Sequence, residues 1–409
     1  MKSIWFICKD AGPISESGIF LRTLKQAQYC QNRGYSVKII CSSWIHATTI
    51  NHLDNGLYKK ENHNGIDYIF LSSIPYGNST AKRMISYVHF SFMISRLLNV
   101  IEKPDVIIHT SRIPWDVYIY RIAKRIHAKY IMDVSDLWPW EFEHMGKLKP
   151  NSLFLKLFYS IEKKLYSKAD EVVFSIEGGP DYIRNKKWDK QNGGPVDMSR
   201  IHYVNTGIDL KEFNDNLENN SVEDMDLSND KFKLIYLGAV RPANNVEAII
   251  NAAKLLTNKN IQILIYGNGP DRERLEERIK KENIDCVSFK TKWVDPKYVP
   301  YILSKSSVNI LNYVRGWAPY GGSMNKMFMA IACGKPIICN AGMGYSPIRK
   351  YNIGIDKDLS DSKEYADAIM SLYNMTKEEY QDMCSRTLLA ANEYDSHALC
   401  KQFFNVCGL

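Results

Sequence analysis

Short apolar runs, each followed by a turn and then a stretch of helical periodicity, recur along the chain in two separate series. The first series reads as strands over Ser3 to Cys8, Tyr35 to Cys41, Asp67 to Leu71, Val106 to His109, Tyr130 to Asp133, Glu171 to Ser175 and Ile201 to Val204. Helical stretches lie between them, notably Ile19 to Arg33, Ala81 to Ile101 and Trp115 to Ile126. Alternation of this kind specifies a parallel sheet with helices on both faces. Residues 214–230 (NDNLENNSVEDMDLSND) then break the pattern with acidic, polar composition, as a surface linker does. The cycle restarts with strands at Phe232 to Gly238, Ile261 to Tyr266, Val287 to Phe289, Val308 to Tyr313 and Ile337 to Cys339. Lys363 to Val406 reads as helical with a break near Tyr394-Asp395-Ser396. The expected organisation is an α/β chain of two Rossmann-like, doubly wound domains facing a cleft, the arrangement called GT-B. Its pieces are residues 1–213, a linker over 214–230, residues 231–390, and a terminal helix in 391–409 packing back on the first domain. A length of 409 residues fits two domains.

The most informative stretch is 308–340, VNILNYVRGWAPYGGSMNKMFMAIACGKPIICN. A buried strand leads to a loop ending Gly321-Gly322-Ser323, and an apolar helix from Asn325 to Cys333 is stopped by Gly334-Lys335-Pro336. A glycine turn feeding a helix start collects bare backbone N–H groups and a positive dipole end, which suits phosphate. No Asp or Glu occurs between Asp295 and Asp356, whereas Lys326 and six other cations do. An ordinary αβ unit explains the same pattern without a ligand. The strand end Tyr266-Gly267-Asn268-Gly269-Pro270 lets backbone approach a ligand closely, or is simply a tight βα turn. Leu237-Gly238-Ala239-Val240-Arg241 is the matching end one unit earlier, and the Arg241 guanidinium is a multi-donor fork suited to a diphosphate. The first strand is not followed by GxGxxG, so dinucleotide binding is not expected there, and Tyr266 to Pro270 lacks the third glycine of that fingerprint.

In the first half, Asp136 and Glu141 flank Trp138 and Trp140 after a strand, a combination that accepts from sugar hydroxyls and packs on sugar C–H faces. His109 ends another strand and reads equally as a cap or a contact, with His46 a weaker case. Asp224-Met225-Asp226 has the DxD form but lies in the polar stretch with no strand before it, so a metal role there is not expected. Nine cysteines without CxxC pairs argue for free thiols in a reducing compartment. The opening MKSIWFICKD is a core strand rather than a signal sequence, and Met84 to Ile101 carries His89 and Arg96, so it is not read as a membrane span. These readings make the protein cytoplasmic. The formal charge of +8 fits an anionic small ligand or an acidic membrane surface, and no nucleic-acid module is recognisable. Leu153 to Tyr166 is amphipathic and basic, with Lys residues from 147 to 168, and reads as either a membrane-surface helix or a core helix.

Several pieces in the same order carry a resemblance that covers nearly the whole chain: RGYSVKII, DLWP, the run from Glu162 ending YSKAD, VNTGIDLKEF, LIYGNGPDRERL and SMNKMFMAIACGKPII. The chain resembles bacterial glycosyltransferases of family 4, which have the GT-B fold, and looks most like the subgroup making O-antigen and capsule repeats. The resemblance implies retaining transfer of a sugar, an N-acetylated hexosamine or 6-deoxyhexosamine among the candidates, from a nucleotide-diphosphate donor to a lipid-linked glycan without a required metal or other cofactor. It places Asp136, Arg241 and Lys326 in catalysis. Gly238, Gly267, Asn268, Gly269, Gly321, Gly322, Ser323, Asn325 and Met329 fall on the donor side, and Gly18, His109, Trp138 and Glu141 on the acceptor side. The chain departs from the family's paired glutamates, whose positions are Gly321 and Met329 here. Methionine is a poor acceptor for a ribose hydroxyl. A binding or scaffold partner that has lost catalysis, or a sugar-nucleotide epimerase, are the rival readings.

Overall fold

Both series of apolar runs form largely parallel sheets in the computed structural model, which describes residues 2–13, 21–46, 48–77, 79–111, 115–256 and 260–409. The chain divides into two units, one of Met1–Asn205 with Leu399–Leu409 and the other of Thr206–Ala398. The unit boundaries fall at 205/206 and within the last helix (Ser396–Val406).

Unit 1 contains β1 (Ser3–Ile7), β2 (Ser36–Ser42), β3 (Tyr58–His63), β4 (Ile66–Leu71), β5 (Val106–Thr110), β6 (Lys129–Val134), β7 (Glu171–Phe174) and β8 (Ile201–Tyr203). Their order is β3-β4-β2-β1-β5-β6-β7-β8, parallel except for β3 against β4. Every residue of β1 and β5 is buried, as expected for parallel strands covered on both faces. The core joins Ile4, Phe6, Ile39, Phe70, Ile108, Ile131 and Val173 to Leu399, Phe403 and Cys407 of the terminal helix. Each such side chain contributes about 1.5–3 kcal/mol by leaving water. The buried Arg22 guanidinium donates to Asp133 at 2.7–3.0 Å and to the carbonyls of Val204 and Asn205 at 2.8 Å. It thereby ties the helix Leu21–Asn32 to the end of β6 and to the segment after β8.

Unit 2 contains β9 (Phe232–Leu237), β10 (Ile261–Tyr266), β11 (Val287–Phe289), β12 (Val308–Leu311), β13 (Ile337–Cys339) and β14 (Gly354–Asp356), ordered β11-β10-β9-β12-β13-β14 and parallel throughout. One face of the sheet packs Tyr236, Ile249, Ile265, Tyr365 and Ile369; the other packs Ile235, Leu264, Tyr266, Val299 and Leu303. In each sheet the winding runs outward on one side and then jumps across the first strand. The switch points therefore lie between β1 and β5 in unit 1 and between β9 and β12 in unit 2. Ligands of open parallel sheets bind at the carboxyl ends of strands at such points.

Three local readings differ from the structure. Residues 214–230 lie within unit 2 and are partly helical: Leu210–Asn219 and Met225–Ser228 are helices, and Leu227 is buried against the sheet. β3 is an additional, charged edge strand, the usual way of blunting an edge. The tail breaks twice, because Thr376 starts a new helix with a capping box to Glu379 in addition to the break before Ser396. Among the described residues no helix is long and apolar enough to cross a membrane.

Candidate functional site

The carboxyl ends of β9 and β10 touch backbone to backbone. A Cβ on Gly267 would lie 2.0 Å from the Gly238 carbonyl oxygen, and one on Gly269 would lie 2.2 Å from that of Val240. Gly267 also has φ +124°, so glycine is required there for both reasons. The Val240 amide donates to the Asn268 carbonyl at 2.8 Å, and the Arg272 guanidinium, buried, donates to the carbonyls of Gly267 and Lys290. These strand ends are rigid by construction.

Lys326, on the helix Asn325–Ala332, lies against this edge. Its Cδ sits 3.8 Å from where a Cβ on Gly238 would be. Its ammonium lies over the ring of Tyr313 at 4.1 Å and that of Tyr236 at 5.5 Å. Tyr313 follows β12, so the lysine stands at the switch point between β9 and β12. Burial pulls its pKa down to about 8 from an ordinary 10.5, opposed by the Cys339 thiol and reinforced by the Arg241 charge. Among the described residues no carboxylate pairs with Lys326. Two other cations of the acid-free stretch do have partners from beyond it: Arg315 with Asp358 and Arg349 with Asp356. Lys326 and the exposed Arg241 thus form a cationic centre with no internal anion among the described residues.

The glycine loop joins this centre through an aromatic stack. Trp317 lies flat on Tyr313 at 4.1 Å, and a Cβ on Gly322 would meet Met324 at 2.4 Å and Trp317 at 3.3 Å. Gly321 has φ +89° and donates to the Ala318 carbonyl, and Ser323 donates to Thr206 at 2.8 Å. Asn325 is the first helical residue and half-buried. Met329 packs against the cluster of Ile235, Leu264 and Tyr266. Of the residues read for the donor side, Gly238, Gly267 and Gly269 converge directly with Lys326, which was read for catalysis, and Gly322 converges through Trp317 and Tyr313. Tyr236 and Tyr313 are additions. The Tyr313 hydroxyl is buried and has no hydrogen-bond partner among the described residues, whereas that of Tyr236 donates to the Ala239 carbonyl at 2.8 Å. One aromatic lies on β9 and the other just past the end of β12, so only the sheet order brings them together.

In unit 1, His109 is buried, with Nδ1 at 3.1 Å from the Tyr130 hydroxyl and Nε2 at 3.7 Å from Asp116. Ser111 donates to the same Asp116 at 2.5 Å, so the histidine belongs to a hydrogen-bonded strand-end cluster. Asp136 and Glu141 are half-buried; Trp138 packs edge-on to Phe142 at 4.2 Å and Trp140 stacks on His144 at 4.5 Å. Gly18 lies outside the described residues. Asp224 and Asp226 are held by Lys290 at 2.7–2.9 Å, with Gln262 donating to Asp226 at 2.8 Å. Their chemistry is that of a structural clamp between the Met225–Ser228 helix and the end of β11. The helix Leu153–Lys168 buries Leu155, Glu162, Leu165 and Tyr166 while leaving Leu153, Phe154 and Leu157 exposed. It therefore has both a core face and an outward apolar one.

Residues 219–387 match the family model described as "Glycosyl transferases group 1". No curated protein matches the chain. Among solved structures, sucrose-phosphate synthase from Thermosynechococcus elongatus aligns with TM-score 0.74 and 16% identity over 99% of this chain and 98% of its own. Anabaena Alr3699/HepE in complex with UDP aligns with TM-score 0.69 and 12% identity over 99% of each. WaaG, a glycosyltransferase involved in lipopolysaccharide biosynthesis, aligns with TM-score 0.66 and 12% identity over 98% of this chain and 99% of its own. Residues 219–387 are thus a glycosyl transferases group 1 domain, and the chain has the GT-B fold.

Proposed function

We propose that the protein is a retaining glycosyltransferase that moves a sugar from a nucleotide-diphosphate donor to a lipid-linked glycan in surface-polysaccharide (O-antigen or capsule) synthesis. The observation that carries this reading is Lys326. A half-buried cation, with no carboxylate partner among the described residues, stands at the switch point of a group 1 glycosyltransferase domain, beside Arg241 and bare strand-end glycines. Such a centre stabilises the negative charge that develops on a leaving diphosphate, the term that is usually largest in group transfer. The cations and backbone amides meet that charge by themselves, so the reading needs no metal or other cofactor and no covalent nucleophile.

UDP-sugars are the first donors to test, because Alr3699/HepE has been solved with UDP and with UDP-glucose. N-acetylated hexosamines and 6-deoxyhexosamines are the proposed sugars. Asp136, Trp138, Glu141 and His109 are proposed to face the acceptor. The exposed Leu153, Phe154 and Leu157, with the lysines around them, support a peripheral seat of residues 147–168 on an anionic cytoplasmic membrane surface. Transfer from a nucleotide-sugar panel to a polyprenyl-diphosphate-linked sugar tests the function. Wild-type rates in Arg241→Ala and Lys326→Ala would overturn the site.

A second reading is favoured by Met329, whose half-buried side chain packs with Tyr266 and Leu264 and offers no carboxylate for a ribose. On this reading the chain binds as a scaffold partner of an active transferase. Absence of calorimetric binding to UDP, GDP and their sugars at millimolar concentration would select it.

A further inference from the structure

Lys9 follows β1 at the switch point of unit 1, where its carbonyl accepts from the amide of Ser42, the last residue of β2. Its side chain is 3% exposed, and among the described residues its ammonium makes no hydrogen bond. Among the described residues the nearest carboxylate oxygen, Asp10 Oδ1, lies at 3.6 Å, outside hydrogen-bond range. The other Asp10 oxygen accepts from the Tyr87 hydroxyl at 2.6 Å and lies 3.8 Å from Arg83 Nη2. The rings of Tyr76 and Tyr87 flank the ammonium at 4.8 and 4.6 Å. Arg83 is 36% exposed on its side chain, and its buried Nε also lacks a hydrogen-bond partner.

A lysine buried in this way is costly, since an ammonium out of water needs hydrogen-bond acceptors for its protons. Methionine would fill the space between two tyrosine rings without that cost. Among the described residues two cations share one carboxylate, so the described cluster carries an excess positive charge with N–H groups unspent. Those unspent donors sit past the carboxyl end of β1 in an open parallel sheet, the edge where such folds take ligands.

We propose that Lys9 and Arg83 form an anion subsite in unit 1 that takes a phosphoryl group. The ammonium supplies a compact charge on a flexible stem and the guanidinium a fork, a pair that suits the several oxygens of a phosphate better than the two of a carboxylate. Arg83 marks the open side, and Lys9 lies behind it. Burial pulls the Lys9 pKa below its ordinary value, so a bound phosphate would restore the charge that the fold penalises. The group arrives either on a sugar phosphate or as a prenyl diphosphate. Assigning it to the acceptor rests on the transferase reading; the binding itself does not.

The test uses the full chain carrying Arg241→Ala and Lys326→Met, so that the cationic centre of unit 2 is silent. Pyrophosphate, glucose 6-phosphate and farnesyl diphosphate are titrated by calorimetry, with glucose as the uncharged control. Adding Lys9→Met is expected to weaken the phosphorylated ligands about 10- to 100-fold, the loss typical of one charge-assisted hydrogen-bond partner. Arg83→Gln, on the open side, is the second variant and is expected to weaken the same ligands. Tighter binding of farnesyl diphosphate or of glucose 6-phosphate identifies the source. Unchanged affinity in both variants, or no binding of any phosphorylated ligand at millimolar concentration, overturns the subsite. Retained UDP binding by the chain with only Lys9→Met would then leave the transferase reading standing.

Discussion

Lys326→Met should make the protein more stable and less able to bind a nucleotide. The ammonium titrates near 8 instead of 10.5, chiefly because burial strips its hydration, and that gap corresponds to about 3 kcal/mol against the charged form. The faces of Tyr313 and Tyr236 at 4.1 and 5.5 Å return about 0.5–2 kcal/mol. Desolvation therefore wins by roughly 1–2 kcal/mol. The variant should gain that much at pH 7, a rise in Tm of about 2–8 °C for a domain of this size. The pH dependence has a definite sign. A lysine whose folded pKa is lowered carries its full penalty below pH 8 and sheds it as pH rises towards 10.5. The advantage of the variant should accordingly shrink between pH 8 and pH 10. Denaturant midpoints at pH 7, 8.5 and 10 measure both quantities. Calorimetry at pH 9 in buffers of differing ionisation enthalpy should show the wild type taking up close to one proton per UDP, and the variant none. A variant less stable than wild type at pH 7, or a gap that widens with pH, would refute the reasoning.

Three further outcomes follow from geometry already described. Gly267→Ala should destabilise the protein by about 3 kcal/mol or more, because its Cβ would meet the Gly238 carbonyl at 2.0 Å in a backbone conformation that alanine resists; a denaturant midpoint within error of wild type would contradict this. Arg22→Met should cost about 3–5 kcal/mol by leaving Asp133 buried without its guanidinium, and urea unfolding of unit 1 reads it. Glu162 accepts from Tyr166 and Tyr182, and burial raises its pKa to about 8, so its contribution is greatest at low pH and is lost as pH rises from 4.5 to 8. Glu162→Gln should therefore gain on wild type, on the order of 2 kcal/mol, between pH 5 and pH 8.5; parallel stability curves would exclude that titration.

The sheets were legible because strands covered on both faces read as continuous apolar runs, as β1, β5 and β10 do. β3 escaped notice for the opposite reason: YKKEN satisfies an edge that needs charge, and nothing apolar announces it. In residues 214–230 one buried Leu227 and the Lys290 clamp make structure out of a stretch whose composition suggests none. At the site, the glycines were readable since only glycine permits the close approach of β9 and β10. The tyrosines around Lys326 were not, because they come from separate strands and meet only through the order of the sheet. Lys9 and Asp10 were visible as charges after an apolar strand, but whether such charges are solvated or buried is decided by the tyrosines of a distant helix and loop.

The composition of unit 1 has a bearing on how the protein is made. Leu399, Phe403 and Cys407 complete the apolar core built on β1, β2 and β5. The half that leaves the ribosome first therefore waits for residues nearly four hundred positions later before its core is closed. Unit 2 lies wholly between those pieces and emerges entire in the meantime, so it is free to fold first. During that interval the apolar surface of unit 1 awaiting the last helix is open to chaperones and to neighbouring nascent chains. A protein shortened before Leu399 would keep every residue of the candidate donor site while leaving unit 1 permanently unfinished.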